Sequence, residues 1–169
     1  MGWYNADGLY IKFGVEEATP GKVANYRTAG PQQMLEIYLD ETTLKGLSAT
    51  AGATVLDYNA VLPKNARIEK VEVIAQKAAT SSGAAALNIG LIRTDLSTEL
   101  DYNGLVAALA LTAIDAAGET TSLVVGSSGA GALIGTTLAN NGYLVADYDT
   151  AAYTAGELRI RVYFTRDLT

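Results

Sequence analysis

Apolar and polar side chains alternate along several short stretches of this chain. The clearest run covers residues 157–165, where apolar side chains occupy every second position. Successive side chains of an extended chain point to opposite faces, so a period of two predicts a half-buried strand. The same pattern, or a short apolar run between turn residues, predicts strands near residues 9–15, 33–39, 54–56, 67–77, 87–91, 123–125 and 142–146.

The predicted strand over residues 67–77 changes phase. Val71, Val73 and Ala75 fall on one face, whereas Ile68 and Ile74 fall on the other. An extra residue in a strand shifts every later side chain to the opposite face. The sequence therefore predicts a β-bulge, or a strand that is covered on both faces.

Residues 105–113 have a different pattern. This stretch is rich in Ala and Leu and poor in β-branched residues, a composition that favours a helix. Asp101 and Asn103 precede it and are residue types that cap helix N-termini. We therefore predict a single short helix here.

Together these elements predict an all-β, mainly antiparallel sandwich or barrel with one short helix and an N-terminal arm. The strands are separated by Gly, Asn, Asp and Pro turns and not by long helices, which disfavours a βαβ fold. Turn residues near Pro20 and Gly30 suggest a division of the chain. We expect residues 1–30 to form an arm with one strand and residues 31–169 to form the sandwich domain.

Charge and hydropathy limit the classes of partner. The formal net charge is −6, the pI is near 4.6, and only 18% of residues are charged. This balance disfavours nucleic acid and anionic membranes, since both attract Lys and Arg. The longest apolar stretch, residues 105–113, is well short of the ~20 residues of a membrane helix. We expect a soluble protein without a signal peptide, a nucleic-acid partner or a membrane partner.

The missing residue types exclude most catalytic chemistry. The chain has no His and no Cys, so Ser–His–Asp triads, thiol nucleophiles and the usual zinc sites cannot form. A carboxylate pair, as in glycoside hydrolases, is the remaining option. Glu36, Glu72 and Glu157 lie on the polar faces of predicted strands, where solvated charges explain them. We expect no enzymatic activity, no catalytic residues and no cofactor.

Two short segments suggest ligands, and each has a simpler interpretation. The glycine-rich segment 126–131 lacks the Lys and Ser or Thr that follow the last glycine of a phosphate-binding loop, so a small-residue loop is favoured. Asp147 and Asp149 would share one side of a strand and could bind Ca²⁺, which prefers oxygen ligands. A turn with solvated charges is the simpler interpretation of this pair.

Tyrosine dominates the aromatic residues, with ten Tyr against one Trp and two Phe. Tyr combines a large apolar ring with a polar tip and is enriched at protein interfaces. Arginines on one strand face suit a carboxylate-bearing partner, although a solvated outer face explains them equally well. Our candidate partner-binding residues are Tyr4, Leu9, Tyr10, Ile11, Phe13 and Tyr26 in the arm, and Arg159 and Arg161 in the last strand.

Three segments resemble structural proteins of tailed bacteriophages. Residues 1–14, MGWYNADGLYIKFG, resemble the start of small virion proteins, and residues 62–73, LPKNARIEKVEV, resemble a strand of capsid decoration proteins. The segment LNIGL at residues 87–91, followed by Asp95 and DYNG at residues 101–104, continues the likeness.

This resemblance implies a jelly-roll-like β-sandwich, and a decoration, or cement, protein that stabilises the phage head. Its expected partners are the major capsid protein and further copies of itself, for example in a trimer. Its expected location is the head surface of the virion, after synthesis in the host cytoplasm. The resemblance implies no catalytic residues. The alternatives are a carbohydrate-binding or fibre-type module of a phage particle, and a carboxylate-based hydrolase.

Overall fold

Strands make up most of the chain that the structure describes. The computed structural model describes residues 2–4, 10–12, 24–29 and 32–166, the first three ranges by their backbone pairing. Within them lie one α-helix, α1 (Glu41–Lys45), and one 3₁₀ turn (Leu111–Ala113). The strands are β1 (Gly2–Tyr4), β2 (Tyr10–Lys12), β3 (Ala24–Ala29), β4 (Gln32–Leu39), β5 (Thr54–Val55), β6 (Val61–Leu62), β7 (Ala66–Ser81), β8 (Ala86–Arg93), β9 (Glu99–Ala110), β10 (Thr120–Leu123), β11 (Gly142–Asp149) and β12 (Tyr153–Arg166).

Two antiparallel sheets form the body of the protein. The first sheet has the strand order β10-β7-β12-β4-β3. In the second sheet, β5 and β6 both pair with β11, and β8 and β9 follow. Strands β1 and β2 form a separate two-stranded sheet. The predicted all-β sandwich with one short helix is confirmed, although the helix lies elsewhere than predicted.

The core lies between the two sheets. Every second residue of β12 from Leu158 to Phe164 is completely buried, and so are Val71 and Val73 of β7 beside it. From the second sheet, Leu91 and Leu144 complete the same cluster. Burying one such side chain contributes about 1.5–3 kcal/mol, so these alternating positions dominate the stability of the fold.

The predicted β-bulge lies next to Ile68. Phe164 pairs with Ile68 and Tyr163 pairs with Lys70, so Glu69 is the extra residue of β7. Because of this insertion, Ile68 is completely buried together with Val71, although three positions separate them. The phase change in the sequence is therefore confirmed as a bulge.

The predicted helix at residues 105–113 is wrong. Most of this segment belongs to β9, and only Leu111–Ala113 forms a 3₁₀ turn. Asp101 and Asn103 are strand residues and cap no helix. Leu105 and Val106 are completely buried beside β8, so packing against the sheet outweighs the helix propensity of Ala and Leu.

The helix that forms, α1, follows β4 directly. The Asp40 carboxylate accepts a hydrogen bond of 2.7 Å from the Thr43 backbone N–H, which caps the helix. Glu41 lies in the first turn and Lys45 in the last, as the helix dipole favours. These capping residues are visible in the sequence, whereas the shortness of the helix leaves no periodicity to detect.

A glycine-rich segment closes one side of the sandwich. The Ala107 N–H donates to the Gly129 carbonyl at 2.8 Å at the edge of β9, and the Gly135 N–H donates to the Ile68 carbonyl at 2.7 Å at the edge of β7. A Cβ on Gly131 would lie 2.1 Å from the Gly104 carbonyl carbon, so only glycine permits this approach. The small-residue loop predicted at residues 126–131 thus covers a sheet edge.

Strand β3 connects the predicted arm to the first sheet. Its residues pair with β4 from Ala24–Ile37 to Ala29–Gln32. The proposed boundary at residue 30 therefore falls between two paired strands, and the division into arm and domain stays a prediction. No helix among the described residues has the length and apolar character needed to span a membrane.

The two ends of the sandwich are defined by short connections between the sheets. At one end, here called the Pro63 end, residues 63–65 join β6 to β7, and the Lys64 N–H donates to the Asn141 side chain at 2.7 Å. The β8–β9 turn and the start of β11 lie at this end. At the opposite end, the Gly83 end, residues 82–85 join β7 to β8.

Candidate functional site

The outer face of the first sheet carries a network of charged and tyrosine side chains. Its residues come from β4, β7 and β12 and alternate with core positions, so the same period of two that buries one face exposes the other. We call this surface the network face; its members are Glu36, Tyr38, Lys70, Glu72, Glu157, Arg159, Arg161 and Tyr163.

Arg161 lies at the centre of the network face. The pairing register places it beside Glu36 on one side and Glu72 on the other. Its Nε lies 2.7 Å from Glu36 Oε2, and its Nη1 lies 3.9 Å from Glu72 Oε2. One guanidinium thus bridges two carboxylates across three strands.

Glu72 makes further hydrogen bonds at the centre of the network face. It accepts hydrogen bonds from Lys70 Nζ at 2.7 Å and from the Tyr163 hydroxyl at 2.8 Å. Partial burial opposes ionisation of Glu72, but these hydrogen bonds and the nearby cations outweigh it and hold the pKa below its usual value. Lys70 Nζ also lies 4.4 Å from the centre of the Tyr163 ring, a cation–π contact.

The two candidate arginines are thus paired within the chain. Arg159 lies 3.8 Å from Glu36 and 3.5 Å from the Gln76 side-chain oxygen. Partly exposed pairs of this kind stabilise a fold by about 0.2–1 kcal/mol each. A carboxylate-bearing partner would have to displace Glu36 or Glu72, and binding by Arg159 and Arg161 stays a prediction.

Tyr38 provides a pH-sensitive probe of the network face. Its hydroxyl donates to Glu157, and this hydrogen bond, together with partial burial and the negative charge, raises the pKa of Tyr38 to about 12. A raised pKa favours the neutral phenol. This contribution to stability is therefore fully present below pH 10 and is lost as the pH rises through about 12.

We expect the substitution Glu157→Gln to lower the pKa of Tyr38 towards its ordinary value of 10, because the neutral amide removes the repulsion of the phenolate. A ¹³C NMR titration of the tyrosine rings measures this directly. Glu99→Gln, an exposed change in the other sheet, is the control and should leave Tyr38 unchanged. An unaltered Tyr38 titration in Glu157→Gln would contradict the assigned hydrogen bond.

A second polar cluster, around the buried Asn88 and Asp147, lies on the outer side of the second sheet. The Asn88 Nδ2 donates to Asp147 at 2.8 Å and to Asp149 at 2.9 Å, and its Oδ1 accepts from the Ala108 N–H at 2.8 Å. Asp147 also accepts from the Gly52 N–H at 3.3 Å. The Asn88 side chain, which belongs to β8, therefore links β8 to β9 and β11 by hydrogen bonds.

This cluster changes the interpretation of Asp147 and Asp149. The Asp147 and Asp149 carboxylates lie on one side of β11, as the sequence predicts. Both accept a hydrogen bond from the same side-chain amide, that of Asn88. Asp147 is buried and lies in a strand, so the predicted turn with solvated charges is wrong at this position. In the part of the chain that is described, no group of three or more acidic side chains could hold a metal ion.

The large exposed apolar side chains include three aliphatic ones that the sequence pattern does not single out. Among residues 32–166 they are Tyr58, Leu96, Val124 and Val125, with exposed fractions of 60%, 47%, 46% and 68%. The Tyr58 ring packs edge-on against Tyr143, with the ring centres 5.5 Å apart. An apolar residue in a loop gives no sequence signal of exposure, because burial depends on what the loop covers.

The structure describes only some of the candidate partner-binding residues in the predicted arm. Tyr4 pairs with Tyr10 and Trp3 pairs with Ile11 in the small sheet, whereas Tyr26 pairs with Leu35 of the main sheet. The predicted strand at residues 9–15 is confirmed over Tyr10–Lys12. Leu9 and Phe13 lie outside the described residues. Contact of these six residues with a partner stays a prediction.

The sequence matches no family model and no curated protein. Its structure is similar to a chain in the capsid of Ralstonia phage GP4, with a TM-score of 0.51 and 18% identity over 84% of this chain and 88% of that chain. Chains of two other capsid structures also match. They come from the Helicobacter pylori bacteriophage KHP30 (TM-score 0.49, 15% identity, 84% and 92% coverage) and the cyanophage Pam1 (TM-score 0.48, 15% identity, 93% and 94% coverage). The likeness to the GP4 chain shows a shared fold.

Proposed function

We propose that this chain is a structural protein of a bacteriophage virion, and specifically a decoration protein that stabilises the head by protein–protein contacts. The observation that carries the proposal is the fold shared with a chain of the Ralstonia phage GP4 capsid. The alignment covers 84% of this chain and 88% of that chain, so the likeness is not limited to one motif.

The chemistry of the described surfaces supports a role without catalysis. The chain lacks His and Cys, and the charges of the network face neutralise one another in pairs. The carboxylates at Asn88 are held by an amide and by backbone N–H groups. These contacts make the two sheets rigid, and a rigid fold suits a structural protein that has to resist deformation.

In this function, retention on the head comes from several contacts made at once. Binding of one copy to two or more neighbours turns individually modest contacts into tight attachment, because the second contact forms at high effective concentration. The partners are the major capsid protein and neighbouring copies of this chain.

Particles assembled without this chain test the proposal. They should release DNA or break at a lower temperature, or at a lower salt concentration, than complete particles. Adding the purified protein back should restore the stability of the complete particle. Equal stability of both kinds of particle would rule out a cementing role, even for a protein that is present in the virion.

A carbohydrate-binding module of the particle is the second candidate. The exposed Tyr58 ring, supported edge-on by Tyr143, offers an aromatic surface on which a sugar ring could stack. Binding of the isolated protein to a glycan array, lost in Tyr58→Ala, would favour this function. Absence of binding to any glycan would leave the structural role as the better explanation.

A further inference from the structure

We infer that residues 150–156 form a strap that opens and closes at the Gly83 end while the rest of the sandwich stays folded. These residues, called the strap below, join β11 to β12 and include the start of β12. The pairing of Tyr153 with Ser81 places the strap beside the last residue of β7. The inference concerns the isolated chain, so it does not rest on the virion role.

The first observation is a buried hydroxyl inside the strap. Tyr153 is only 3% exposed, and its Oη is the one buried side-chain polar atom in residues 32–166 that lacks a hydrogen-bond partner. Burial raises the pKa of Tyr153, and neither a hydrogen bond nor a neighbouring charge contributes to this shift. Such a hydroxyl opposes the closed conformation, because it gains hydrogen bonds with water once it is exposed.

The second observation is the backbone at both ends of the strap. Thr150 has φ +74, a left-handed conformation that β-branched residues rarely adopt. Strained backbone of this kind is typical of segments that switch between conformations. At the other end, Gly156 has φ +132, which glycine adopts far more readily than any other residue. These two residues are therefore the positions at which the backbone turns when the strap opens.

The third observation is the weak pairing of the strap within the first sheet. From Leu158 to Thr165, β12 pairs with both β4 and β7. Between Tyr153 and Glu157, the pairing found among the described strands is with β7 alone. It is also irregular, with register shifts on both sides of Ala155. Segments with few and irregular backbone hydrogen bonds open at a lower free energy than the whole fold.

The side-chain contacts that close the strap are exposed. Ser81 Oγ donates to the Ala152 carbonyl at 2.8 Å, and the hydroxyls of Thr80 and Thr154 lie 2.8 Å apart. Water replaces exposed hydrogen bonds of this kind at little cost. These contacts therefore do not prevent opening, and burial of the Tyr153 ring is the main interaction that favours the closed conformation.

Stronger contacts limit the motion to the strap. Directly before it, Asp149 accepts a hydrogen bond of 2.9 Å from Asn88. Directly after it, Glu157 accepts a hydrogen bond from the Tyr38 hydroxyl. Opening between these two fixed points exposes the Tyr153 ring, and Tyr is a residue type enriched at interfaces. The strap thus controls access to an aromatic surface that the closed protein hides.

Amide hydrogen exchange of the folded protein, followed by NMR at several low urea concentrations, tests this inference. We expect the Tyr153 and Ala155 amides to exchange at least about a hundredfold faster than the Ile160 amide in the centre of β12. Their rates should hardly change with urea, because opening the strap exposes little surface. Exchange at the rate and with the urea dependence of Ile160 would overturn the inference, since the strap would then open only on global unfolding.

Two variants distinguish opening from simple exposure of these amides. Tyr153→Phe removes the hydroxyl that favours the open conformation, so strap exchange should slow by about tenfold. Thr150→Asn should slow it by about threefold, because Asn tolerates the left-handed conformation. Tyr148→Phe, a change at a partly buried tyrosine of β11, is the matched control and should have no effect. Unchanged or faster strap exchange in Tyr153→Phe would overturn the inference, and so would equal slowing in Tyr148→Phe.

Discussion

Gly90→Ala is expected to destabilise the second sheet strongly. A Cβ at this position would lie 2.1 Å from the Asp101 carbonyl oxygen and 2.2 Å from the Tyr102 carbonyl carbon. Both are backbone atoms of β9, and they cannot move away without breaking the β8–β9 pairing. We expect a loss of more than about 3 kcal/mol, a large part of the stability of a typical domain.

Urea unfolding, together with the yield of soluble protein, measures this effect. Gly83→Ala is the matched control, because its new Cβ would meet only the Ala151 Cβ, at 3.3 Å. We expect the control to change stability by less than about 1 kcal/mol. A Gly90→Ala protein with near-normal stability would show that β9 does not approach β8 as closely as described.

Asn88→Leu is expected to have the second largest effect. The leucine has the same branched shape but leaves the Ala108 N–H and the buried Asp147 without their amide partner. Asp147 is only 3% exposed, so water cannot replace the lost hydrogen bond. Removing one partner of a buried charged group costs about 3–5 kcal/mol, and we expect a loss of this size.

Asn59→Leu is the control for this change. Asn59 also donates a side-chain hydrogen bond to an aspartate, Asp57, at 3.1 Å, but it is exposed, so water can replace it. Thermal unfolding should show a small change for Asn59→Leu and a large one for Asn88→Leu. Equal effects would mean that the Asn88 cluster is not a buried connection between strands.

Alternation predicted the strands well where one face is buried and the other is solvated. Strand β12 and the bulge at Ile68 follow from this pattern alone. Strand β3, with the sequence ANYRTA, has no such alternation, and only its pairing with β4 makes it a strand. Strand β9 has local helix propensity, and its burial against β8 overrides that preference.

The contacts at the candidate sites depend on strand order, which the sequence did not show. Alternation places Arg161 on an outer face, but only the register of β12 with both β4 and β7 places it between Glu36 and Glu72. Similarly, the closeness of Asp147 and Asp149 follows from their spacing, whereas their amide partner Asn88 lies about 60 residues away in the chain. The exposure of Val125 depends on a loop that crosses from one sheet to the other.

The virion role, which is the central claim, is tested most directly by quantitative mass spectrometry of purified phage particles. The measurement gives the copy number of this chain relative to the major capsid protein. A decoration protein that covers the lattice should be present at nearly one copy per capsid subunit. A few copies per particle would indicate a vertex or tail component, and absence from purified particles would contradict the virion role.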